Sequence, residues 1–456
     1  MKFEKKELQD HRVELLAEVS SEQFENAKQK AAKKLSKTTK IPGFRPGKAP
    51  YDIIKRTFGE ETIEEAAIDL LIDEIYPKLI KETGIKPYGP GKLESVESKN
   101  PPKFRFSVPL EPEVILGDYT KIKQPYKPPR VEEDEIKKVL NNLQLNYATA
   151  EPVDRAAEKG DLVSIKITGV LLKPEKDHEA EILKETPHEV IIGEELGEEQ
   201  FPFTGFGEKL IGLKAGDTKE IKHHYTKDSK YEELRGKEVK FFVVVESIKR
   251  LIKPNLDDEF AKMLGLPSFS ELESSIRSQI ELEKLREYDN QYYNELLDKI
   301  VKASVIKYPP QHLELEVEEV RKAIEADIEK ENLDFDTYLK LIKREKDEFI
   351  ENDIKPVARR RLEHNLILSE ISRKENIELD KSELEQEFSR SFMQMQASPN
   401  FKTLQKEYTT TKLANMTVMQ TAMRLMDRHA LERLKTIASG GEGKESELKD
   451  SQDPHE

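Results

Sequence analysis

The stretch LVSIKI (residues 162–167) consists mainly of β-branched and other aliphatic residues, and a similar run, FFVVV (residues 241–245), follows later in the chain. Such runs are typical of buried β-strands. The segment from Gly160 to Gly236 holds nine glycines, which favour turns and weaken helices. These features predict a separate, sheet-rich module over residues 155–250.

The chain after this module has the opposite character. From Leu266 to Ser439 there is no glycine, only five prolines interrupt the sequence, and Glu, Lys, Leu and Ile are abundant. This composition favours long helices joined by short connections. We therefore predict an elongated all-α domain over residues 251–438 and a disordered tail over residues 439–456.

The first 115 residues mix helical and strand patterns. Ser20 and Gln23 have the spacing of a capping box, which predicts a helix beginning there. A second helix is predicted over residues 62–80, and strands are predicted over residues 11–19, 92–97 and 104–110. The N-terminal part of the chain is therefore expected to be an α+β domain, residues 1–115.

Residues 116–154 connect this domain to the sheet-rich module. Three prolines between Lys121 and Arg130 predict an extended linker, and the apolar spacing from Val131 to Tyr147 predicts a connecting helix. Because helices are expected on both sides of the sheet-rich module, we expect it to be inserted between parts of one helical domain.

The composition of the 456 residues excludes several classes of protein. No stretch is apolar enough to cross a membrane, and the N-terminus lacks a signal peptide, so a cytoplasmic protein without membrane contact is expected. The chain has no cysteine, which excludes disulfides and thiolate sites. The net charge of -14 argues against general binding to nucleic acids.

One segment departs from this acidic average. Between Lys28 and Arg56 there are ten basic residues and one acid, Asp52, which gives a local charge of +9. The charge of this segment suits contact with RNA phosphates, but only Phe44, Tyr51 and Phe58 are placed to stack on bases, which disfavours base reading.

The sequence KIPGFRPGKAP (residues 40–50) lies within this basic segment. Its three prolines and two glycines predict a defined protruding turn. Phe44 would then be displayed beside Arg45 and Lys48, as an apolar anchor flanked by cations suited to phosphates or carboxylates. An ordinary turn with the ring tucked against its own domain is equally compatible with the local sequence.

This motif resembles the ribosome-binding signature of the trigger factor family, Gly-Phe-Arg-x-Gly-Lys-x-Pro. The matching residues are Gly43, Phe44, Arg45, Gly47, Lys48 and Pro50. The resemblance also covers the order of domains: a ribosome-binding domain, an inserted FKBP-type prolyl isomerase domain and a helical C-terminal domain. It implies a chaperone that docks on the large ribosomal subunit near the exit tunnel, on a ribosomal protein and RNA, and binds nascent unfolded polypeptides.

The resemblance further implies a homodimer when the protein is free of the ribosome, and chaperone action without ATP. The sequence contains no phosphate-binding loop of the form Gly-x-x-x-x-Gly-Lys-Ser/Thr, which agrees with the second point.

The stretch FPFTGFGEKLIGLKAGD (residues 201–217) is similar to the FKBP pattern, in which an aromatic residue after glycine forms the pocket floor. Phe206 occupies that position, and Tyr231 and Phe241 match the pocket tyrosine and wall phenylalanine. Phe203 is assigned to the same pocket. An apolar pocket of this kind can lower the amide rotation barrier of roughly 18–20 kcal/mol without a nucleophile, a metal or any cofactor.

Other positions depart from the FKBP pattern. Ile167 stands where a ring is usual, Val190 stands where Phe is common, and EKDHE (residues 175–179) replaces the motif Asp-Gly-x-x-Phe. We expect an FKBP-like fold whose turnover is weak or lost.

Four histidines lie in the same module. His223 and His224, with His178 and His188, lack the spacing of a metal site. We therefore predict no metal and expect His223 and His224 to form a solvated pair at a strand end.

Six of the eight methionines lie between residues 393 and 426: Met393, Met395, Met416, Met419, Met423 and Met426. The last four follow the spacing of one helix side. Methionine suits surfaces that accept varied partners. Packing between antiparallel helices is the simpler explanation for any single one, but the family resemblance assigns the region to client binding.

Two other functions remain open at this stage. The chain could be a prolyl isomerase whose other domains only target it, or an RNA-binding assembly protein that acts through its basic segment. An exported chaperone is disfavoured because no signal peptide is present.

Overall fold

A computed structural model of the chain describes residues 2–39, 41–99, 101–172, 181–194, 201–229, 231–331, 333–398 and 401–440. The tail predicted to be disordered lies outside the described residues from residue 441 onward, as does the segment 175–179. The chain divides into two compact units, one formed by Met1–Lys127 with Asn290–Glu456 and the other by Pro128–Asp289. The finer division into domains at residues 115, 154, 250 and 438 stays a prediction.

The N-terminal part of the first unit is a four-stranded antiparallel sheet with three helices. Its elements are β1 (Lys2–Glu7), β2 (Arg12–Glu18), α1 (Ser21–Thr38), α2 (Tyr51–Phe58), α3 (Glu60–Thr83), β3 (Lys92–Lys99) and β4 (Pro102–Pro109). The strand order is β1-β2-β4-β3. Helices α1 and α3 pack on the sheet, and Phe24, Leu79, Phe104 and Phe106 form the centre of the core. The predicted α+β architecture is confirmed.

The start of α1 follows its sequence signal closely. The Ser20 side chain accepts a hydrogen bond from the Gln23 N–H, and the Gln23 side chain accepts one from the Ser20 N–H. This reciprocal pairing satisfies two donors that a helix end leaves open, so the predicted capping box is confirmed.

The C-terminal part of the first unit is helical. Its elements are the end of α6 (Phe269–Ala303), β11 (Val305–Lys307), α7 (Pro310–Lys330), α8 (Phe335–Leu341), α9 (Lys346–Phe349), α10 (Lys355–Lys374), α11 (Lys381–Ala397), α12 (Phe401–Glu407) and α13 (Thr410–Ala438). A π-helical turn, Ile350–Ile354, precedes α10. None of the helices in the described residues is long and apolar enough to span a membrane.

An extended connector, residues 113–124, runs from the first sheet across these helices. Its strand β5 (Glu113–Ile115) pairs with β11 in an antiparallel ladder. Gly117 follows, and a Cβ at this position would lie 2.1 Å from the Ala303 carbonyl oxygen, so no larger residue fits there. The Tyr119 hydroxyl then donates a hydrogen bond to Glu375.

The connector ends at the buried residue Gln124. Its N–H donates to the Ala438 carbonyl at 3.1 Å, and its side-chain amide donates to the Tyr292 carbonyl at 3.0 Å. Its own carbonyl accepts from the Tyr292 hydroxyl, and its side-chain oxygen accepts from Lys299. One residue thus joins the connector to α6 and α13.

The second unit contains a five-stranded antiparallel sheet. Its elements are α4 (Glu133–Asn146), β6 (Thr149–Pro152), β7 (Asp161–Leu171), β8 (Glu181–Ile191), β9 (Thr218–His224), β10 (Glu238–Ile252), α5 (Asp258–Met263) and the start of α6. Strand β10 is central: it pairs with β7 on one side and with β9 and then β6 on the other. The predicted antiparallel β-sheet module is confirmed.

The segments before and after this sheet pack on each other. Ile136 and Leu140 of α4 form a common apolar cluster with Phe260 of α5 and with Leu272 and Ile276 of α6. This packing is the arrangement expected when a sheet module is inserted into a helical one.

A buried ion pair fixes the first residue of β7. Asp161 is only 2% exposed and accepts hydrogen bonds from the Arg155 guanidinium at 2.6 and 2.9 Å and from the Glu158 N–H at 2.9 Å. Burial alone would raise the pKa of this carboxyl, but the cation and the donated hydrogen bonds outweigh burial and hold the pKa below its ordinary value.

We expect Asp161→Asn to lower the free energy of unfolding of the second unit by about 2–4 kcal/mol at neutral pH, since it removes the buried anion of Arg155 and leaves only the Glu158 carboxylate, 3.4 Å away. Because the folded-state pKa is lowered, the stabilisation by Asp161 is present above the unfolded pKa of about 3.9 and is lost as the pH falls through the folded value. Thermal unfolding between neutral and acidic pH measures both effects. The exposed Asp154→Asn is the control, and equal stabilities of the two variants would contradict the prediction.

Candidate functional site

The segment between α1 and α2, which we call the cationic loop (residues 41–50), is anchored at both ends. Ile41 is buried with Ala32, Ile54 and Ile63. The Gly47 N–H donates to the Ser36 carbonyl at the end of α1, at 2.9 Å. The loop is therefore a fixed turn rather than a loose connection.

Gly47 is required by this geometry. Its φ is +77°, and a Cβ would lie 2.8 Å from Cγ of Lys37. Gly43 also has a positive φ, +82°. A side chain at either position would strain the backbone, so both glycines shape the turn that carries Phe44.

Phe44 lies at the surface of this turn and is 39% exposed. Its N–H donates to the Ile41 carbonyl, and the Lys48 N–H donates to the Arg45 carbonyl. The ring of Phe44 is therefore partly exposed rather than buried, and its role as a docking anchor stays a prediction.

The charge around the loop is more local than the sequence count of +9 indicates. Lys28 is buried beside Glu25 and Glu64, Lys30 pairs with Glu74, and Lys55 pairs with Glu60. Lys40 lies outside the described residues. The cations that are exposed and make no ion pair within the described part of the chain are Lys33, Lys34, Lys37, Arg45, Lys48 and Arg56. The free positive charge is thus concentrated at the loop end of α1.

A second candidate site is the aromatic cluster of the β-sheet unit, which consists of Phe203, Phe206, Phe241 and Tyr231. The Phe206 ring centroid lies 5.5 Å from that of Phe203 and 6.5 Å from that of Phe241. Tyr231 packs against the same core. The structure brings together all four residues that the sequence assigned to the pocket.

The opposite wall is aliphatic. Ile167 is fully buried in the same core, and Val190 packs against it. The residues that replace a further family motif, 175–179, lie outside the described residues. The structure therefore places aliphatic side chains, Ile167 and Val190, at the two positions where the FKBP pattern usually has rings.

The expectation for the histidine pair is wrong for His223. Its ring stacks on Phe203 with centroids 3.8 Å apart and planes 3° apart, and burial lowers its pKa below the ordinary value. His224, its neighbour on β9, is exposed. The sequence signal for His223 was the alternation along β9, in which every second residue faces the core. This alternation places His223, and not His224, towards the core. The described residues contain no group of three or more His, Asp or Glu side chains that could hold a metal ion.

The third candidate site is the surface of α13. Every fourth residue from Leu413 to Leu425 is buried, which leaves the opposite side to solvent. Met416, Met419 and Met423, which we call the methionine face, lie on that side, and Met419 is 67% exposed. Core packing therefore does not explain these three methionines.

The other three methionines differ in exposure. Met393 on α11 is exposed, whereas Met395 and Met426 are half-buried. The Met395 sulfur lies 3.7 Å from the Thr417 hydroxyl, at the contact between α11 and α13. Sequence reasoning missed the stacked rings of Phe388 and Phe392 on α11, whose spacing of four residues was the available signal.

Three features together define a class of protein. They are a fixed aromatic and cationic loop, a β-sheet unit with an aromatic cluster, and helices with exposed methionines. These parts are typical of a molecular chaperone with a docking element, an isomerase-like module and an adaptable polypeptide-binding surface.

Comparisons with known proteins identify the family. Residues 1–143 match the family model "Bacterial trigger factor protein (TF)", and residues 268–434 match "Bacterial trigger factor protein (TF) C-terminus". The chain is 33% identical over 396 residues to "Trigger factor" of Caldicellulosiruptor saccharolyticus, which covers 86% of this chain and 87% of that protein. It is also 33% identical over 395 residues to "Trigger factor" of Carboxydothermus hydrogenoformans, which covers 86% and 90%.

Among solved structures, the chain is similar to the one described as "Promiscuous Substrate Recognition in Folding and Assembly Activities of the Trigger Factor Chaperone". The identity is 23%, the TM-score is 0.48, and 96% of this chain and 99% of that chain are covered. On the family models and the relatives, this chain belongs to the trigger factor family of ribosome-associated folding chaperones, which carry a prolyl isomerase domain.

Proposed function

We propose that the cationic loop docks this chaperone on the large ribosomal subunit beside the exit of the nascent chain, where it contacts a ribosomal protein and neighbouring RNA. The observation that carries the proposal is the exposed ring of Phe44 on a rigid turn beside unpaired cations. The ring supplies an apolar anchor, and Arg45 and Lys48 supply charge for carboxylates or phosphates. Gly43 and Gly47 hold the turn.

Arg45→Ala/Lys48→Ala is expected to weaken ribosome binding by about tenfold or more, because two unpaired cations are lost. The slope of log affinity against log salt concentration should also become shallower, by about one to two units. Co-sedimentation with ribosomes at several salt concentrations measures both quantities.

The matched control is Lys81→Ala/Lys86→Ala, which removes two exposed cations of the same unit away from the loop. The control should bind like the parent chain. Unchanged binding in Phe44→Ala/Arg45→Ala/Lys48→Ala would overturn the docking proposal.

We also propose that the β-sheet unit is an FKBP-type prolyl isomerase of weak activity, with Phe203, Phe206, Tyr231 and Phe241 as its pocket. The support is the convergence of these rings in one apolar cluster, which can stabilise a twisted amide by excluding water. The aliphatic wall at Ile167 and Val190 is the reason for expecting weak turnover.

Phe206→Ala is expected to abolish the turnover of an Xaa-Pro peptide, because it removes the pocket floor. Phe242→Ala is the control, since Phe242 follows Phe241 on β10 but lies exposed on the outer face. A coupled peptide assay measures both variants. Turnover close to that of strong isomerases in the parent chain would contradict the weak-activity proposal, and turnover unaffected by Phe206→Ala would contradict the pocket.

For client binding, we propose a surface of the helices α11 and α13 that includes Met393, Met395, Met416, Met419, Met423 and Met426. The methionine face supports this because flexible, polarizable thioethers can pack against varied apolar segments. Binding of this kind needs no ATP. The surface would hold nascent unfolded polypeptides and delay their aggregation.

Met416→Ser/Met419→Ser/Met423→Ser is expected to reduce the suppression of client aggregation severalfold without lowering the thermal stability, because the three side chains are exposed. The control Asn415→Ser/Gln420→Ser changes exposed polar residues of the same helix. Light scattering of a denatured client protein measures the effect. Full suppression of aggregation by the methionine variant would contradict the assignment of this surface to client binding.

Family likeness alone supports two further proposals, a homodimer when the protein is off the ribosome and a cytoplasmic location. Sedimentation of the free protein tests the first, and monomers at all concentrations would refute it. Cell fractionation tests the second.

A further inference from the structure

Two rings of the proposed pocket are closed to solvent, and the ring of Phe203 packs against both. Phe206 and Phe241 are only 1% and 2% exposed. The ring of Phe203 lies 5.5 Å from the first and 5.9 Å from the second, centroid to centroid. A substrate proline must contact the floor ring, and in this arrangement the floor ring offers it no open face.

One face of the Phe203 ring is covered by His223. The two rings are parallel within 3° and their centroids are 3.8 Å apart, which is a full face-to-face stack. His223 is fixed by its strand, since β9 pairs with β10 and places His223 opposite Val239. Phe203 therefore packs against both the imidazole and the pocket rings, and we call the stack of His223 on Phe203 the clamp.

The backbone around Phe203 is tied on both sides. The buried Tyr225 hydroxyl donates to the Pro202 carbonyl at 2.7 Å, and the Phe206 N–H donates to the Phe203 carbonyl at 3.1 Å. Gly205, with a φ of +80°, completes this turn. Since the main chain is restrained, the pocket opens most easily by rotation of the Phe203 side chain away from His223.

We propose that Phe203 is an internal occupant of the isomerase pocket and that His223 is the positioning residue that holds it there. Substrate then binds only to the fraction of molecules in which Phe203 has turned away. The inference rests on the proposed isomerase function and deepens it, because it gives a conformational cause for weak activity in addition to the aliphatic wall.

A closed pocket has a defined kinetic signature. When only a fraction of molecules can bind, the apparent dissociation constant rises by the inverse of that fraction, while the chemistry in the open form is unaffected. Weakening the clamp should therefore lower KM and leave kcat unchanged. A merely structural histidine would, on removal, raise KM or lower kcat.

The test is His223→Val in the full chain, with an Xaa-Pro peptide as substrate. Valine keeps the strand preference of β9 but removes the stacked ring. Since an aromatic pair contributes about 0.5–1.5 kcal/mol, KM is expected to fall by about twofold to twelvefold at constant kcat. His224→Val, on the exposed side of the same strand, should leave both constants unchanged.

His223→Thr carries the same expectation should His223→Val fail to fold, because threonine also suits a strand and cannot stack on Phe203. Unchanged or raised KM in a folded His223→Val or His223→Thr variant overturns the clamp. This failure is distinct from failure of the isomerase proposal itself, which appears as turnover that survives Phe206→Ala.

If turnover is too low to measure in every variant, the anisotropy of a labelled Xaa-Pro peptide replaces it. Tighter peptide binding by His223→Val than by the parent chain and His224→Val supports the clamp. Equal binding, or none in any variant, overturns it.

Discussion

The first compact unit depends on the hydrogen bonds of a single buried amide. Gln124 has partners for its backbone N–H and carbonyl and for both ends of its side chain, and these partners come from α6 and α13. An unpaired buried amide costs about 1–3 kcal/mol, so this set of partners fixes where the connector can lie. Together with the β5–β11 ladder, it joins the connector of the N-terminal sheet to residues that lie 168 or more positions later in the chain.

The hydrogen bonds of Gln124 and the β5–β11 ladder explain why the candidate sites can carry features that would be unfavourable in a small domain. Near the cationic loop, the six cations that make no ion pair with any described residue repel one another, and exposed methionines leave apolar surface in water. Both features lie on elements whose other faces are anchored, α1 by the first sheet and α13 by α11 and the connector. An isomerase merely targeted by its other domains would not require the methionine face, and membership of the trigger factor family does not favour that alternative.

Features that depend on a few neighbouring residues were the easiest to predict from the sequence. The capping box at Ser20 was predictable, because its spacing determines it. The rings gathered around Phe206 were expected from the resemblance to the FKBP pattern, and the local sequence left the exposure of Phe44 undecided. The ladder between β5 and β11 was not predictable, since each strand has three residues and nothing in either marks its partner. Strand β1 was missed because its polar residues are all exposed, and the pairing of Lys28 with Glu64 depends on how α3 packs on α1.

The two sides of α13 differ in chemistry as well as in exposure. Its buried stripe from Leu413 to Leu425 contains no thioether, whereas Met416, Met419 and Met423 present theirs to solvent. Oxidation of these three to sulfoxides would therefore require no opening of the helix pair, and it would turn an apolar, flexible surface into a polar one while the packing stripe stays intact. The surface proposed to hold unfolded chains could thus be inactivated by an oxidant, and restored by a reductase, in a molecule that remains folded throughout.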